Sequence, residues 1–263
     1  MENFETILFE KSDGVARISL NRPEAMNAIN MKMNSEIAEA LDNAEKDESV
    51  AAVVISGTGK AFCVGADLKS VQKEQTTLYS QHEFCLLGRR NVIDKIENLE
   101  KPVIAAVNGY CLAGGLEVLL ACDLAIASED AVIGDQHINI GAIGAAGGPY
   151  RLAMRVGILK AKELVLTGKK LTGKEAERIG LVNMAVRPDE FESAVQDMAK
   201  SIAQKSPVAL RISKAIINRT VNIDSAAKLD LVMLYALFNG STEDFHEGVR
   251  AFNEKRKPLF KGR

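Results

Sequence analysis

Hydrophobic and polar positions alternate along the start of the chain and then change to helical spacing. Residues 5–10 and 15–20 alternate apolar with polar side chains, and the Asp13-Gly14 pair between them is a strong turn signal. These two segments predict a β-hairpin. Residues 31–46 carry apolar side chains three and four positions apart, which predicts an amphipathic helix.

The middle of the chain repeats an order of strands and helices. The β-branched run at residues 51–56 predicts a strand, residues 78–99 a long amphipathic helix, and residues 103–107 a buried strand. A short helix at 114–122 and a strand at 124–127 follow. Strands that alternate with helices favour an α/β fold with right-handed crossovers.

The chain after Arg187-Pro188 has a different pattern, because it predicts only helices, at 190–204, 208–218, 226–238 and 243–255. Helices that follow a completed sheet cannot be inserted into it. We expect them to cap the core or to pack on another subunit.

Composition and charge exclude several classes of protein. The 263 residues are 47% hydrophobic and 26% charged, which is typical of a folded globular protein. With 33 basic and 35 acidic residues the net charge is −2, so neither nucleic acid nor an anionic membrane is an expected partner. No run reaches the ~18–20 apolar residues of a membrane helix, and no secretory signal is visible. We therefore expect a cytoplasmic protein.

The cysteines and histidines do not form a metal-binding pattern. The four cysteines include no C-x-x-C pair, and the three histidines are far apart. We expect reduced thiols and no metal site.

Two glycine-rich junctions, at residues 57–68 and 108–117, lie where predicted strands lead into loops or helices. Each alone is typical of a turn. Together, amides converging from a loop and from a helix N-terminus are able to bind an oxyanion. Glu117 lies in the first turn of the apolar helix, either as an acid that complements the helix dipole or as a group for proton transfer beside an enolate.

Ordered motifs along nearly the whole chain resemble the crotonase superfamily of enoyl-CoA hydratases and isomerases. They lie at residues 21–23, 61–68, 101–109, 114–117, 122–123, 147–148, 247–252 and 254–258. The resemblance implies an α/β crotonase-like spiral of ββα units over residues 1–205, holding the CoA-binding and catalytic site. It also implies a helical oligomerisation region at 206–263, a trimer or a dimer of trimers, and an acyl-CoA thioester substrate with no further cofactor.

The resemblance also assigns candidate site residues. The oxyanion hole would be the backbone amides of Val64 and Gly114, with Glu117 as a catalytic residue. Residues matching those along coenzyme A are Ala25, Met26, Ala66, Asp67, Leu68, Phe252 and Lys255. Glu24 departs from the family pattern, which often has a basic residue there.

Two positions depart from the hydratases with two catalytic glutamates. His137 occupies the position of the second glutamate, and Ala145 replaces a glycine beside the reacting water. His137 is either a core histidine bonded to a backbone carbonyl or the second proton-transfer group. His82 is a weaker candidate, and we expect His246 to be structural.

Three aspartates, Asp67, Asp123 and Asp135, are expected to order loops rather than to catalyse.

Three functions compete. The first is a lyase that adds water across a 2-enoyl-CoA, with Glu117 activating the water. The second keeps the scaffold for double-bond isomerisation, decarboxylation, or hydrolysis of a C–C or thioester bond. The third is a noncatalytic relative that binds acyl-CoA or RNA, against which the retained Glu117 and the balanced charge argue.

Overall fold

The computed structural model describes residues 4–70, 77–220 and 225–263, and their strands form two sheets. The larger sheet has six strands, which lie side by side in the order β1 (Ile7–Ser12), β2 (Val15–Leu20), β3 (Ala52–Gly57), β5 (Val103–Val107), β7 (Leu124–Ser128) and β10 (Met184–Val186). The predicted hairpin is present: β1 and β2 are antiparallel, and Asp13 and Gly14 both have positive φ. The other neighbours in this sheet are parallel.

The second sheet is made of short strands that the sequence pattern does not predict. Its four strands lie in the order β4 (Ala61–Cys63), β6 (Tyr110–Leu112), β8 (Val132–Gly134) and β9 (Leu171–Thr172). The first three run parallel, and β9 is antiparallel to β8. Segments of two or three residues are too short to show periodicity. Both glycine-rich junctions therefore contain a strand where the pattern alone indicates a loop.

The central strands of the larger sheet are buried on both faces. Val53 and Ile55 belong to the main core between the sheets, whereas Val54 packs with Ile104 and with Phe191 on the opposite face. This arrangement explains why these strands are continuous apolar runs rather than alternating ones.

Helices surround the two sheets in the part of the chain that the structure describes. They are α1 (Met31–Lys46), α2 (Leu78–Gly88), α3 (Asp94–Asn98), α4 (Gly114–Ala121), α5 (Gly148–Val156), α6 (Ile158–Thr167), α7 (Gly173–Arg178), α8 (Phe191–Ala203), α9 (Pro207–Thr220), α10 (Ser225–Gly240) and α11 (Glu243–Asn253). The helix predicted over residues 78–99 is interrupted, because a π-helical turn at Arg89–Ile93 separates α2 from α3.

The four predicted C-terminal helices are present as α8 to α11. Helix α8 covers the outer face of the larger sheet. Helix α9 is joined to the core by Lys214, whose Nζ lies 2.7 Å from an Asp123 carboxylate oxygen and donates to the carbonyls of Ile96 and Lys101. Asp123 also accepts from the amide of Val103, so it orders structure as expected.

All four cysteines are free thiols. Over the described ranges, no helix has the length and apolar character needed to cross a membrane.

Candidate active site

The two glycine-rich segments meet at the start of α4. A Cβ atom on Gly65 would lie only 2.8 Å from the amide nitrogen of Gly114, and φ at Gly65 is +97°. Only glycine satisfies both conditions. Because Gly114 is the first residue of α4, its N–H has no acceptor within the helix. The residue before it, Ala113, has φ 50° and ψ −118°, a conformation that L-residues rarely adopt. The backbone is thus held in a strained form where the free amide is presented.

Glu117 is buried one turn into α4, and the loop that leads into α5 contacts its carboxylate. The side chain is 6% exposed. Its Oε1 accepts hydrogen bonds from the amides of Ala146 at 3.0 Å and Gly148 at 2.9 Å. A Cβ on Gly144 would lie 2.9 Å from the same oxygen, so glycine is needed there for the loop to approach. These contacts fix the position of one oxygen by backbone alone.

Burial raises the pKa of Glu117 above its ordinary value, since it disfavours the charged form. The amides of Gly148 and Ala146 and the nearby His137 act in the opposite direction but do not cancel it. A carboxyl with a raised pKa is a stronger base when ionised and is suited to proton transfer near neutral pH.

His137 begins a 3-10 turn, His137–Ile140, and is paired with Asp135. Its Nδ1 lies 2.8 Å from Asp135 Oδ1, and its backbone amide donates to the same oxygen at 3.1 Å. The partner of the imidazole is therefore a carboxylate and not a backbone carbonyl. With Nδ1–H donated to Asp135, Nε2 is the ring nitrogen free to act elsewhere.

The two members of this pair shift each other's titration. Burial alone would lower the pKa of His137, but the hydrogen bond and charge of Asp135, with the charge of Glu117, raise it overall. Burial alone would raise the pKa of Asp135, yet its bonds to His137 lower it. The buried Asp135 thus orders its turn as expected and in addition stabilises the imidazolium.

A cavity of about 220 Å³ brings six of the predicted residues together. Those that line it are Ala66, Leu68, Gly114, Glu117, His137 and Ala145. Val64 is not among the lining residues; it is half-buried and adjoins Gly65, which packs against the Gly114 amide. The cavity is therefore lined mainly by apolar residues, together with the first amide of α4, a buried carboxyl and an imidazole.

The segment with Ala25 and Met26 is joined to the loop with Ala66 and Asp67. The amide of Asp67 donates to Ile29 at 2.9 Å, and Ile29 in turn donates to Gly65 at 2.8 Å. An ion pair of 2.9 Å links Arg22 to Asp67, whose pKa is lowered despite its burial. Four of the predicted CoA-binding residues thus lie on two loops that are bonded to each other, beside the cavity.

The C-terminal candidates lie apart from the cavity. Phe252 is 82% exposed and borders a separate hollow with residues of α11, and Lys255 is exposed just beyond that helix. Neither lines the cavity with Glu117. His82 and His246 are exposed and also do not line it.

Sequence reasoning missed several residues of this site. Asn34, Cys85 and Ala146 line the cavity. Asn34 had a detectable signal, because it lies three positions before Ile37 on the apolar face of α1, where a polar residue is unexpected. Ala146 contributes through its backbone, which no side-chain pattern reveals.

A larger hollow of about 500 Å³ lies between α5 and α9, but its charged groups already have ion-pair or backbone carbonyl partners, as Arg155 does at Cys122. Lys214 is bonded to Asp123, and Arg151 lies 2.7 Å from Glu97. Across residues 4–70, 77–220 and 225–263, no three His, Cys, Asp or Glu side chains are grouped to hold a metal ion. The cavity at Glu117 is thus the better candidate for chemistry.

The sequence is similar to known proteins over nearly its whole length. The model of the family described as Enoyl-CoA hydratase/isomerase matches residues 10–263. A short-chain-enoyl-CoA hydratase of Clostridium acetobutylicum is 40% identical over 254 residues, covering 95% of each chain. A crotonyl-CoA hydratase of Syntrophomonas wolfei is 39% identical and covers 98% of each.

The fold is shared with solved structures. An enoyl-CoA hydratase from Bacillus anthracis superposes with a TM-score of 0.94 at 33% identity, covering 98% of this chain and all of that one. The two sheets and the surrounding helices therefore form the crotonase fold. The chain belongs to the enoyl-CoA hydratase/isomerase family.

Proposed function

We propose that this protein hydrates a 2-enoyl-CoA thioester. The observation that carries the proposal is the fixed carboxylate of Glu117, held by the amides of Ala146 and Gly148 in the cavity that also presents the Gly114 amide. A base and an oxyanion donor on one short helix match the needs of an addition that passes through an enolate. The names of relatives that are about 40% identical support the same reaction.

The thioester carbonyl oxygen would accept hydrogen bonds from the amides of Gly114 and Val64. Glu117 removes a proton from water, and the water oxygen bonds to Cβ while the electrons of the C=C bond move to the carbonyl oxygen. When the enolate collapses, Cα takes a proton from Nε2 of His137. Exchange with solvent restores both side chains, so the net change is the addition of one water. No group besides the CoA thioester is required.

Coenzyme A would lie along the two joined loops, with Ala25, Met26, Ala66, Asp67 and Leu68 beside it. The bonds between Ile29 and the Gly65–Asp67 loop support this assignment, because they make one continuous surface leading to the cavity. Phe252 and Lys255 remain candidates for the nucleotide end. Ala145 would place its methyl group against the acyl chain, since it lines the cavity beside Ala146.

The cavity has room for a short or cyclic acyl group. A cavity of roughly 150 Å³ is enough for benzene, and this one has a volume of about 220 Å³. The word short-chain in the name of the Clostridium relative is consistent with a short acyl group.

Double-bond isomerisation is the second candidate, and His137 is the observation that favours it. An imidazole and a carboxyl that line one cavity are able to remove a proton from one carbon and return it to another. The family description includes isomerases.

Turnover of matched thioesters, followed by mass, tests the proposal. Crotonyl-CoA and other 2-enoyl-CoA substrates should gain the mass of one water, whereas a shifted double bond without mass change would favour isomerisation. Loss of carbon dioxide from a β-carboxylated thioester would favour decarboxylation instead. His137→Glu restores the two-glutamate pattern, and increased hydration in this variant would show that the natural histidine departs from standard hydratase chemistry.

We also propose a trimer or a dimer of trimers formed through residues 206–263. Helix α10 carries apolar side chains that are exposed in the single chain, including Leu229 at 71%, Met233 at 62% and Leu237 at 68%. Light scattering should give three or six times 28.5 kDa. Met233→Lys should shift the mass toward the monomer, whereas Gln204→Lys, which adds the same charge at an exposed position before this region, should not. A monomer in the unaltered protein would refute the assembly.

A further inference from the structure

The wall of the cavity formed by α1 contains a polar group that the hydration chemistry does not use. Asn34 lines the cavity with Glu117 and His137, and only 4% of its surface is exposed. It lies on the face of α1 that otherwise carries core residues such as Ile37 and Leu41. A buried amide normally has partners for both its oxygen and its nitrogen, since an unpaired one is costly.

Only half of this amide has a partner among the residues that the structure describes. The Asn34 Oδ1 atom accepts a hydrogen bond of 2.9 Å from Nδ2 of Asn91, which lies in the π-helical turn between α2 and α3. Among the residues that the structure describes, Nδ2 of Asn34 has no acceptor. This nitrogen lies near Gly88, another residue that lines the cavity. A Cβ atom added to Gly88 would be 3.7 Å from Nδ2 of Asn34.

The Asn91 contact gives the amide a defined direction. Because Asn91 engages the oxygen, the Asn34 nitrogen is the atom left facing the cavity. The π-turn creates this contact, and such turns within helices recur at functional sites. The result is a pre-positioned donor in a mainly apolar pocket, which is the usual way that a ligand pocket fixes orientation and specificity.

We propose that Asn34 is a specificity-determining residue that donates its Nδ2–H to a neutral oxygen on the acyl group, beyond the reacting carbons. The inference rests on the proposed acyl-CoA chemistry of this cavity, and it names the substrate class: a short acyl-CoA with a keto, hydroxyl or ether oxygen. An apolar acyl group would displace water from the donor and leave it unpaired. A carboxylate is disfavoured, because Asn34 is uncharged, the carboxyl of Glu117 lines the same cavity, and His137, which also lines it, is already paired with Asp135.

Binding of unreactive, saturated thioesters tests this inference without relying on hydration. Calorimetry compares hexanoyl-CoA with 4-oxohexanoyl-CoA and 5-oxohexanoyl-CoA, which differ only by a carbonyl oxygen. At least one keto probe should bind about tenfold more tightly than hexanoyl-CoA, the gain expected when a buried donor is paired. Equal affinities for all three probes would overturn the inference while leaving the proposed hydration intact.

Variants separate recognition from a structural role. Asn34→Leu has a similar volume but no donor, so the preference for the keto probe should disappear. Asn91→Leu keeps the Asn34 donor but removes the contact that orients it, so it should reduce the preference less than Asn34→Leu does. The ratio of two dissociation constants does not depend on the folded fraction of a variant. If Asn34→Leu kept the preference, or weakened the binding of hexanoyl-CoA and of the keto probe equally, Asn34 would be only structural.

A charged probe tests the assignment of a neutral oxygen. Tighter binding of 5-carboxypentanoyl-CoA than of either ketone would overturn it.

Discussion

Glu117 and His137 are held in the same cavity in two different ways. The carboxylate of Glu117 is fixed by two backbone amides where a loop leads into α5, at Ala146 and Gly148. The imidazole of His137 is fixed by one side chain, Asp135. A backbone amide does not gain or lose its proton as the pH changes, whereas the side chain of Asp135 does. The position of Glu117 therefore depends on the shape of the loop, and the protonation of His137 depends on a second ionisable group.

The largest expected effect comes from removing the base. Glu117→Gln keeps the size of the side chain and its acceptor oxygen for the two amides but cannot take a proton. Hydration of crotonyl-CoA should fall by about 10²–10⁴ in kcat, the usual contribution of a general base. Calorimetry with butyryl-CoA should show affinity within a few-fold of the unaltered protein.

Glu39→Gln is the matched control for this change, because Glu39 is an exposed acid on α1 that does not line the cavity. It should leave kcat unaltered. If Glu117→Gln retained full turnover, the backbone-held carboxylate would not be the base.

A smaller effect is expected from altering the loop that holds Glu117. A methyl group on Gly144 would lie 2.9 Å from Oε1 of Glu117, so Gly144→Ala must displace the carboxylate or the loop. We expect kcat to fall by about 10- to 10²-fold, since displacements near 1 Å are enough for such losses. Steady-state kinetics measure the change.

Gly240→Ala serves as the control for the added methyl group, because no described atom of the single chain lies within 4 Å of a Cβ at that position. Unchanged activity in Gly144→Ala would mean that the loop yields without moving Glu117. In that case backbone contacts would not control its position.

The smallest effect on maximal rate is expected at Asp135, where the change appears mainly in the pH dependence. Asp135 holds the pKa of His137 above its ordinary value of 6.5. Asp135→Asn should lower that pKa, so the limb at which activity falls with rising pH should move to lower pH. NMR titration of the His137 imidazole measures the same shift.

The same pair determines how stability depends on pH. Because the pKa of His137 is higher in the folded protein than in the unfolded chain, its protonation stabilises the folded protein below the unfolded-state pKa. This stabilisation is lost as the pH rises through the folded-state pKa. Asp135→Asn should therefore destabilise the protein more at about pH 5.5 than at pH 8, as measured by urea unfolding. Asp130 is an exposed acid in the preceding turn and provides the control. Asp130→Asn should change neither the pKa of His137 nor the stability of the protein. If this limb of the pH–activity profile stayed in place while the pKa of His137 moved, the limb would belong to another group.

The amino-acid pattern was enough to predict the fold class and most of the elements. The limits of α1 and β5 agree with the structure residue for residue, because long amphipathic helices and buried apolar strands have strong periodic signals. The family motifs indicated Glu117, Gly114 and His137 as parts of one site, and the structure places all three around one cavity. The proposed roles of these residues remain predictions.

The contacts between distant groups became visible only in the folded chain. The strands of the second sheet are too short to show a pattern, and their pairing depends on residues far apart in the chain. The partners of Glu117 are backbone amides about thirty positions away, which no side-chain pattern specifies. The π-turn that places Asn91 against Asn34 interrupts a helix whose sequence predicts no break. Periodicity reports which face of an element is buried, but contacts between elements arise only when the chain is packed.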